Sequence, residues 1–161
     1  MKIAVSACLL GVPCRYDGRS KADDDLACLL EGHEVVRICP EVMGGLSIPH
    51  PANELVRVAG EDPASACPGL PSGFRVRDVE GRDNTDAFVR GACAATDRAL
   101  AAGCTHAILK AKSPSCGTGR VYDGSFTGKL VSGFGVAARM LKEQGIEVMD
   151  EKLAKNFLQS K

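Results

Sequence analysis

Three short runs of strand-forming residues, Lys2–Ala7, Glu34–Ile38 and Thr105–Leu109, are each followed by a loop that carries a cysteine. Helical spacing fills the intervals, over Lys21–Glu31, Asp86–Ala102 and Leu130–Gln144. Ile146–Met149 then reads as a last strand and Glu151–Leu158 as a terminal helix. Two further strand-like pieces, Glu54–Ala59 and Phe74–Val79, sit in the middle of the chain. Strands that alternate with helices pack as an open, mostly parallel sheet with helices on both faces, an α/β fold. Such sheets build their sites at the carboxyl ends of the strands. Cys8, Cys39 and Cys116 all fall at those ends, so three strands are expected to deliver three thiols to one edge.

The stretch Lys110–Gly119 holds the third of these thiols most rigidly. Pro114 fixes its own φ and pushes Ser113 toward extended geometry. Gly117 and Gly119 allow close backbone approach. Two other loops are rich in turn residues. Leu9–Gly18 carries Cys14, and Pro40–Pro51 carries Glu41 and His50. Long loops of this kind more often carry function than merely connect. Gly60–Gly73 reads as a polar, proline-rich insert and a candidate flap over the site.

The chain has 161 residues and no interdomain linker, so residues 1–161 are expected to form a single domain. The 20 basic and 20 acidic residues cancel, which gives no footing for nucleic-acid binding driven by charge. The apolar start stops at Gly11 and reads as a buried first strand rather than a signal peptide. No run reaches membrane-spanning length. A cytoplasmic location is expected, where disulfides are rare.

Eight cysteines therefore need sorting. Cys28 and Cys93 read as core-facing helix positions, Cys104 as a buried corner, and Cys67 as a bystander. Cys8, Cys14, Cys39 and Cys116 form a polar-loop set suited to a metal centre. No Cys-x-x-Cys pair occurs, which disfavours a zinc knuckle or a thioredoxin motif. Thiolates without a nearby histidine suit zinc or an iron–sulfur cluster, and spacing leaves both open. Glu41, two residues after Cys39, is a candidate acid or base. Ser113 and Ser115 are candidates to orient a polar substrate. No Gly-x-Gly-x-x-Gly or Walker pattern supports nucleotide phosphate binding.

Several blocks together carry a resemblance: Ser6–Gly11, Cys14–Gly18, Cys39–Val42 with Gly44–Leu46, Leu109–Gly117, and Tyr122–Phe126. Over nearly the whole chain they resemble the bacterial thiouracil desulfidase-like family, formerly a domain of unknown function. The resemblance implies a Rossmann-like three-layer α/β/α fold. It also implies a 4Fe–4S cluster held by three cysteines, with a fourth iron open to the sulfur of a thiolated nucleobase. Water oxygen would replace that sulfur with no net redox change. Carried over residue by residue, the implied ligands are Cys8, Cys39 and Cys116, with Cys14 in reserve. Glu41 would move protons and Ser113 would orient the substrate. The expected partner is a small thiolated pyrimidine such as 4-thiouracil. The sequence departs from the family's usual Pro-Arg at Pro49-His50, and from its commoner Asp-Val-Thr at Asp83-Asn84-Thr85.

Two other functions fit the same cysteines. One is a non-catalytic zinc- or thiol-based binding or redox-sensing module. The other is cluster-based dehydration of acyl thioesters, although no site for coenzyme A is evident.

Overall fold

In the computed structural model, residues 1–60, 62 and 67–161 are described. The central sheet contains β1 (Lys2–Ser6), β2 (Glu34–Ile38), β5 (His106–Leu109) and β8 (Glu147–Asp150). Its order is β2-β1-β5-β8, and every neighbouring pair is parallel. The chain goes from β1 to one side, then crosses back to build β5 and β8 on the other. That reversal places a topological switch point beside the carboxyl end of β1.

Strand alternation splits the core into two layers. Ile3, Val5, Ile108 and Met149 face α1 (Asp24–Leu29) and α5 (Glu151–Gln159). Ala4, Ala107 and Leu109 face the opposite way, toward α3 (Thr85–Ala101) and α4 (Val136–Glu143). The result is the expected Rossmann-like α/β/α arrangement. Two antiparallel pairs stand outside the main sheet: β3 (Asn53–Arg57) with β4 (Phe74–Asp78), and β6 (Arg120–Tyr122) with β7 (Leu130–Ser132). No helix among the described residues is long and apolar enough to cross a membrane.

Three local expectations need correction. The first helix is shorter than Lys21–Glu31, and Asp23 caps it by accepting from the Leu26 amide at 3.0 Å. Lys21 and Asp23 are held outside the helix because their amides bond the Cys8 and Leu9 carbonyls at 2.9 and 3.0 Å. The helix expected over Leu130–Gln144 begins only at Val136. Its expected first turn is strand β7, and Gly133 and Gly135 donate to the Gly119 and Gly117 carbonyls instead. Cys28 and Cys93 are exposed rather than core-facing, whereas Cys104 is buried as expected. In the insert expected to form a flap, residues 61 and 63–66 lie outside the described residues. Leu70 there is buried, and the backbone of Gly69 lies against α4, where a Cβ would come within 2.7 Å of the Val136 carbonyl oxygen.

One packing contact sets the position of the whole second loop. The one-turn helix α2 (Pro40–Met43) presses backbone to backbone on α3. A Cβ at Gly91 would collide with the Pro40 carbonyl, and one at Gly44 would collide with the Ala87 carbonyl. Gly91→Ala is therefore expected to lower stability by about 1–3 kcal/mol, as overpacking does. The carbonyl that must move belongs to the segment bearing Cys39 and Glu41. Thermal unfolding checks the loss of stability.

Candidate active site

The carboxyl ends of β1, β2 and β5 open into one cavity of about 630 Å³. Cys8, Cys14, Cys39 and Cys116 all line it, together with Glu41 and Ser113. Every residue singled out from the sequence for chemistry thus reaches the same space.

Each thiol arrives by a different route. Cys8 lies in the 3₁₀ turn Ala7–Leu10 that continues β1. Cys39 stands at the start of α2, between β2 and the glycine contact with α3. Cys116 sits in the loop after β5, which is bolted to the start of α4. There the amides of Val136 and Ala137 donate to the Pro114 and Ser115 carbonyls, both at 2.9 Å. A Cβ at Gly135 would come within 2.5 Å of the Ser115 carbonyl carbon, so only glycine permits this contact. Cys14 comes from the turn that follows the 3₁₀ segment, and its carbonyl lies 3.7 Å from the Cys39 sulfur.

The thiols differ electrostatically. Cys14 interacts with the thiols of Cys39 and Cys8, which holds its own pKa far above the ordinary thiol range. The same contact lowers Cys39 to about 7, helped by the Val42 and Glu41 amides and opposed by burial. Cys8 is lowered as well, first by Cys14 and then by the charges of Lys110 and Arg15. Cys116 is buried, and burial pushes it up to about 12 despite hydrogen bonds to Ser6 and Ser115. A thiol this buried becomes a thiolate only when a cation takes the proton's place. The set combines two anionic-leaning thiols, one buried thiol and one hydrogen-bonding thiol. That donor chemistry fits an iron–sulfur cluster.

Glu41 is gripped from both sides. Its Oε1 lies 3.2 Å from His50 Nε2, and its Oε2 accepts from the Ser115 hydroxyl at 3.0 Å. His50 Nδ1 donates to the Pro51 carbonyl at 2.8 Å, because a carbonyl can only accept. The remaining ring nitrogen must then share a proton with Glu41. The carboxylate raises the pKa of His50, against the effect of burial. Pro49-His50 therefore brings a histidine into contact with the carboxylate.

Ser113 and Ser115 divide their work. Ser113 Oγ accepts from the Ser115 and Cys116 amides at 3.2 and 3.1 Å, which closes the turn presenting Cys116. Ser113 and Ser115 hydroxyls are 3.0 Å apart, and Ser115 alone reaches Glu41. A hydrogen-bonded chain thus runs Ser113–Ser115–Glu41–His50. The sequence named both serines but gave no sign of which one meets Glu41, since the partners are 74 residues apart.

Three further groups carry no sequence signal. Ser6 accepts from the Lys110 amide at 3.0 Å and ties β1 to the Cys116 loop. Glu151, in the first turn of α5, pairs with Lys110 Nζ at 2.6 Å and accepts from the Ala111 amide at 2.8 Å. Lys110 is therefore committed to the scaffold. Glu54 is a second carboxylate of the cavity wall, nearly buried at 8 % exposure.

Residues 3–152 match the family described as 2-thiouracil desulfurase. The chain belongs to this family. The chain is 35% identical over 156 residues to an uncharacterized protein, YbbK, of Bacillus subtilis (strain 168), covering 97% of this chain and 99% of that one. Its structure is similar to that of TudS, a [4Fe-4S]-dependent thiouracil desulfidase, with a TM-score of 0.80 and 39% identity. That likeness covers 99% of this chain and 96% of TudS.

Proposed function

We propose that this chain catalyses the iron–sulfur-dependent, non-redox desulfuration of a thiolated nucleobase of the 4-thiouracil type. The ring C=S and one water become C=O and hydrogen sulfide, so no electrons enter or leave. The observation that carries this reading is the meeting of four cysteines and Glu41 in one cavity, in a chain so similar to TudS along its length.

Cys8, Cys39 and Cys116 would hold a [4Fe–4S] cluster, and Cys14 is the reserve ligand. The cluster would supply a Lewis-acidic iron that polarises the carbon–sulfur bond. Glu41 takes a proton from the attacking water and returns it to the departing sulfur. His50 and Ser115 fix the carboxylate for that exchange. Ser113 holds the turn at Cys116 and presents its hydroxyl to the cavity as a guide for the substrate. The chemistry needs a reducing compartment, and the cytoplasm is the location we infer.

A zinc or redox-sensing module is the rival. The likeness to TudS, a [4Fe-4S]-dependent protein, along 99% of this chain favours the desulfidase reading.

The experiment is anaerobic purification and reconstitution, followed by iron, sulfide and zinc analysis and assay with 2- and 4-thiouracil. About four irons per chain and sulfide release are expected. A chain that keeps zinc and takes up no iron overturns the proposal.

A further inference from the structure

Glu54 Oε1 accepts from two backbone amides, Gly124 at 3.0 Å and Phe126 at 3.2 Å. These amides belong to the turn after β6. Asp123 closes the turn by accepting from the Ser125 amide at 2.9 Å. Gly124 has φ +91, and a Cβ there would come within 2.6 Å of the Leu55 carbonyl oxygen. Phe126 adopts φ 58, a left-handed conformation that a large side chain rarely holds without support. One carboxylate oxygen therefore pins the turn to β3, and the turn places Phe126 and Tyr122 in the cavity wall.

The other oxygen is unused. Among the described residues no donor bonds Glu54 Oε2 and no basic side chain pairs with the carboxylate, although Glu54 lines the cavity. A nearly buried carboxylate with one free acceptor beside an aromatic wall matches a flat ring that carries an N–H. We propose that Glu54 is a specificity residue: Oε2 accepts the N3–H beside the thiocarbonyl of a thiolated pyrimidine, while Oε1 holds Phe126 against the face of the ring. This inference rests on the desulfidase reading above. It adds that rings lacking the N–H are rejected.

The test compares wild type, Glu54→Gln and Glu54→Ala, using 4-thiouracil and its N3-methyl derivative. Amide hydrogen exchange at residues 124–126 of the cofactor-free protein supplies a second readout. Glu54→Gln keeps an amide oxygen for the turn, so exchange should stay slow. Its NH₂ now meets the ring N–H, and kcat/KM for 4-thiouracil should fall about tenfold or more, mainly through KM. The N3-methyl derivative, poor with wild type, should change less than about twofold in the same variant. Glu54→Ala should speed exchange at 124–126 and weaken both substrates. Equal losses on both substrates in Glu54→Gln, or a KM for 4-thiouracil unchanged from wild type, overturn the N–H reading. Unchanged exchange in Glu54→Ala overturns the clamp. A wild type that releases no sulfide from either thiouracil overturns the desulfidase reading itself, and the exchange result still decides the clamp.

Discussion

Changing Cys8, Cys39 or Cys116 to serine is expected to abolish iron retention, and sulfide release with it. Each thiol reaches the cavity from the end of a different strand. Cys14 touches the Cys8 and Cys39 thiols, but it is the thiol held protonated and is not expected to take over a vacated position. A serine oxygen is a harder and more weakly acidic donor than a thiolate, so it does not restore the ligand. Cys14→Ser should behave differently. Cys14 is the thiol kept protonated by its contacts with Cys39 and Cys8, and a hydroxyl can donate in the same place. That variant should keep most of its iron and lose about tenfold or less in activity. Cys28→Ser, at an exposed helix position, is the control and should match wild type. Iron per chain, visible absorbance and sulfide release separate the three outcomes. If Cys14→Ser loses its iron while one of the other three keeps it, the ligand assignment moves to Cys14.

The sequence predicted the α/β order because both of its periods are strong and local. Ile3 and Val5 face one way and Ala4 the other, which is what a strand buried on both faces requires. The boundaries failed where distant backbone groups compete with the helix. Lys21 and Asp23 fall within the helical spacing, yet their amides are claimed by carbonyls thirteen and fourteen positions earlier. Leu130–Ser132 falls inside the stretch whose spacing reads as helix, but it pairs with β6. Spacing alone places Cys28 and Cys93 inward, yet both are exposed. In the short α1, Leu26 and Leu30 face the core, and Cys28 lies on the opposite side of the turn. The meeting of the cysteines in one cavity was legible because strand ends share an edge whatever the loops do. The grip of His50 on Glu41 and the contact of Glu54 with residues 124 and 126 were not. Both join segments whose approach depends on turn geometry, and neither leaves a spacing rule in the chain.

Glu41→Gln is expected to lower turnover about 10²- to 10⁴-fold while leaving the iron content at the wild-type level. The amide matches the carboxylate in shape and can still accept from Ser115, but it cannot carry a proton between water and sulfur. A loss of iron alongside activity would instead make Glu41 a support for Cys39. His50 supplies an independent check on the charge of Glu41. Pairing with Glu41 raises the folded-state pKa of His50 above its ordinary value near 6.5. The linked stability is therefore fully present below about pH 6.5 and fades as pH rises through the raised value. Removing the charge at position 41 removes this contribution. The stability gap between wild type and Glu41→Gln should widen as pH falls from about 8 to 6, the window around that histidine value. Denaturant unfolding at several pH values reads it directly. A gap that does not change with pH would mean that His50 does not charge against Glu41. The activity loss would then have to come from the lost proton carrier alone, with no part played by a disturbed ion pair.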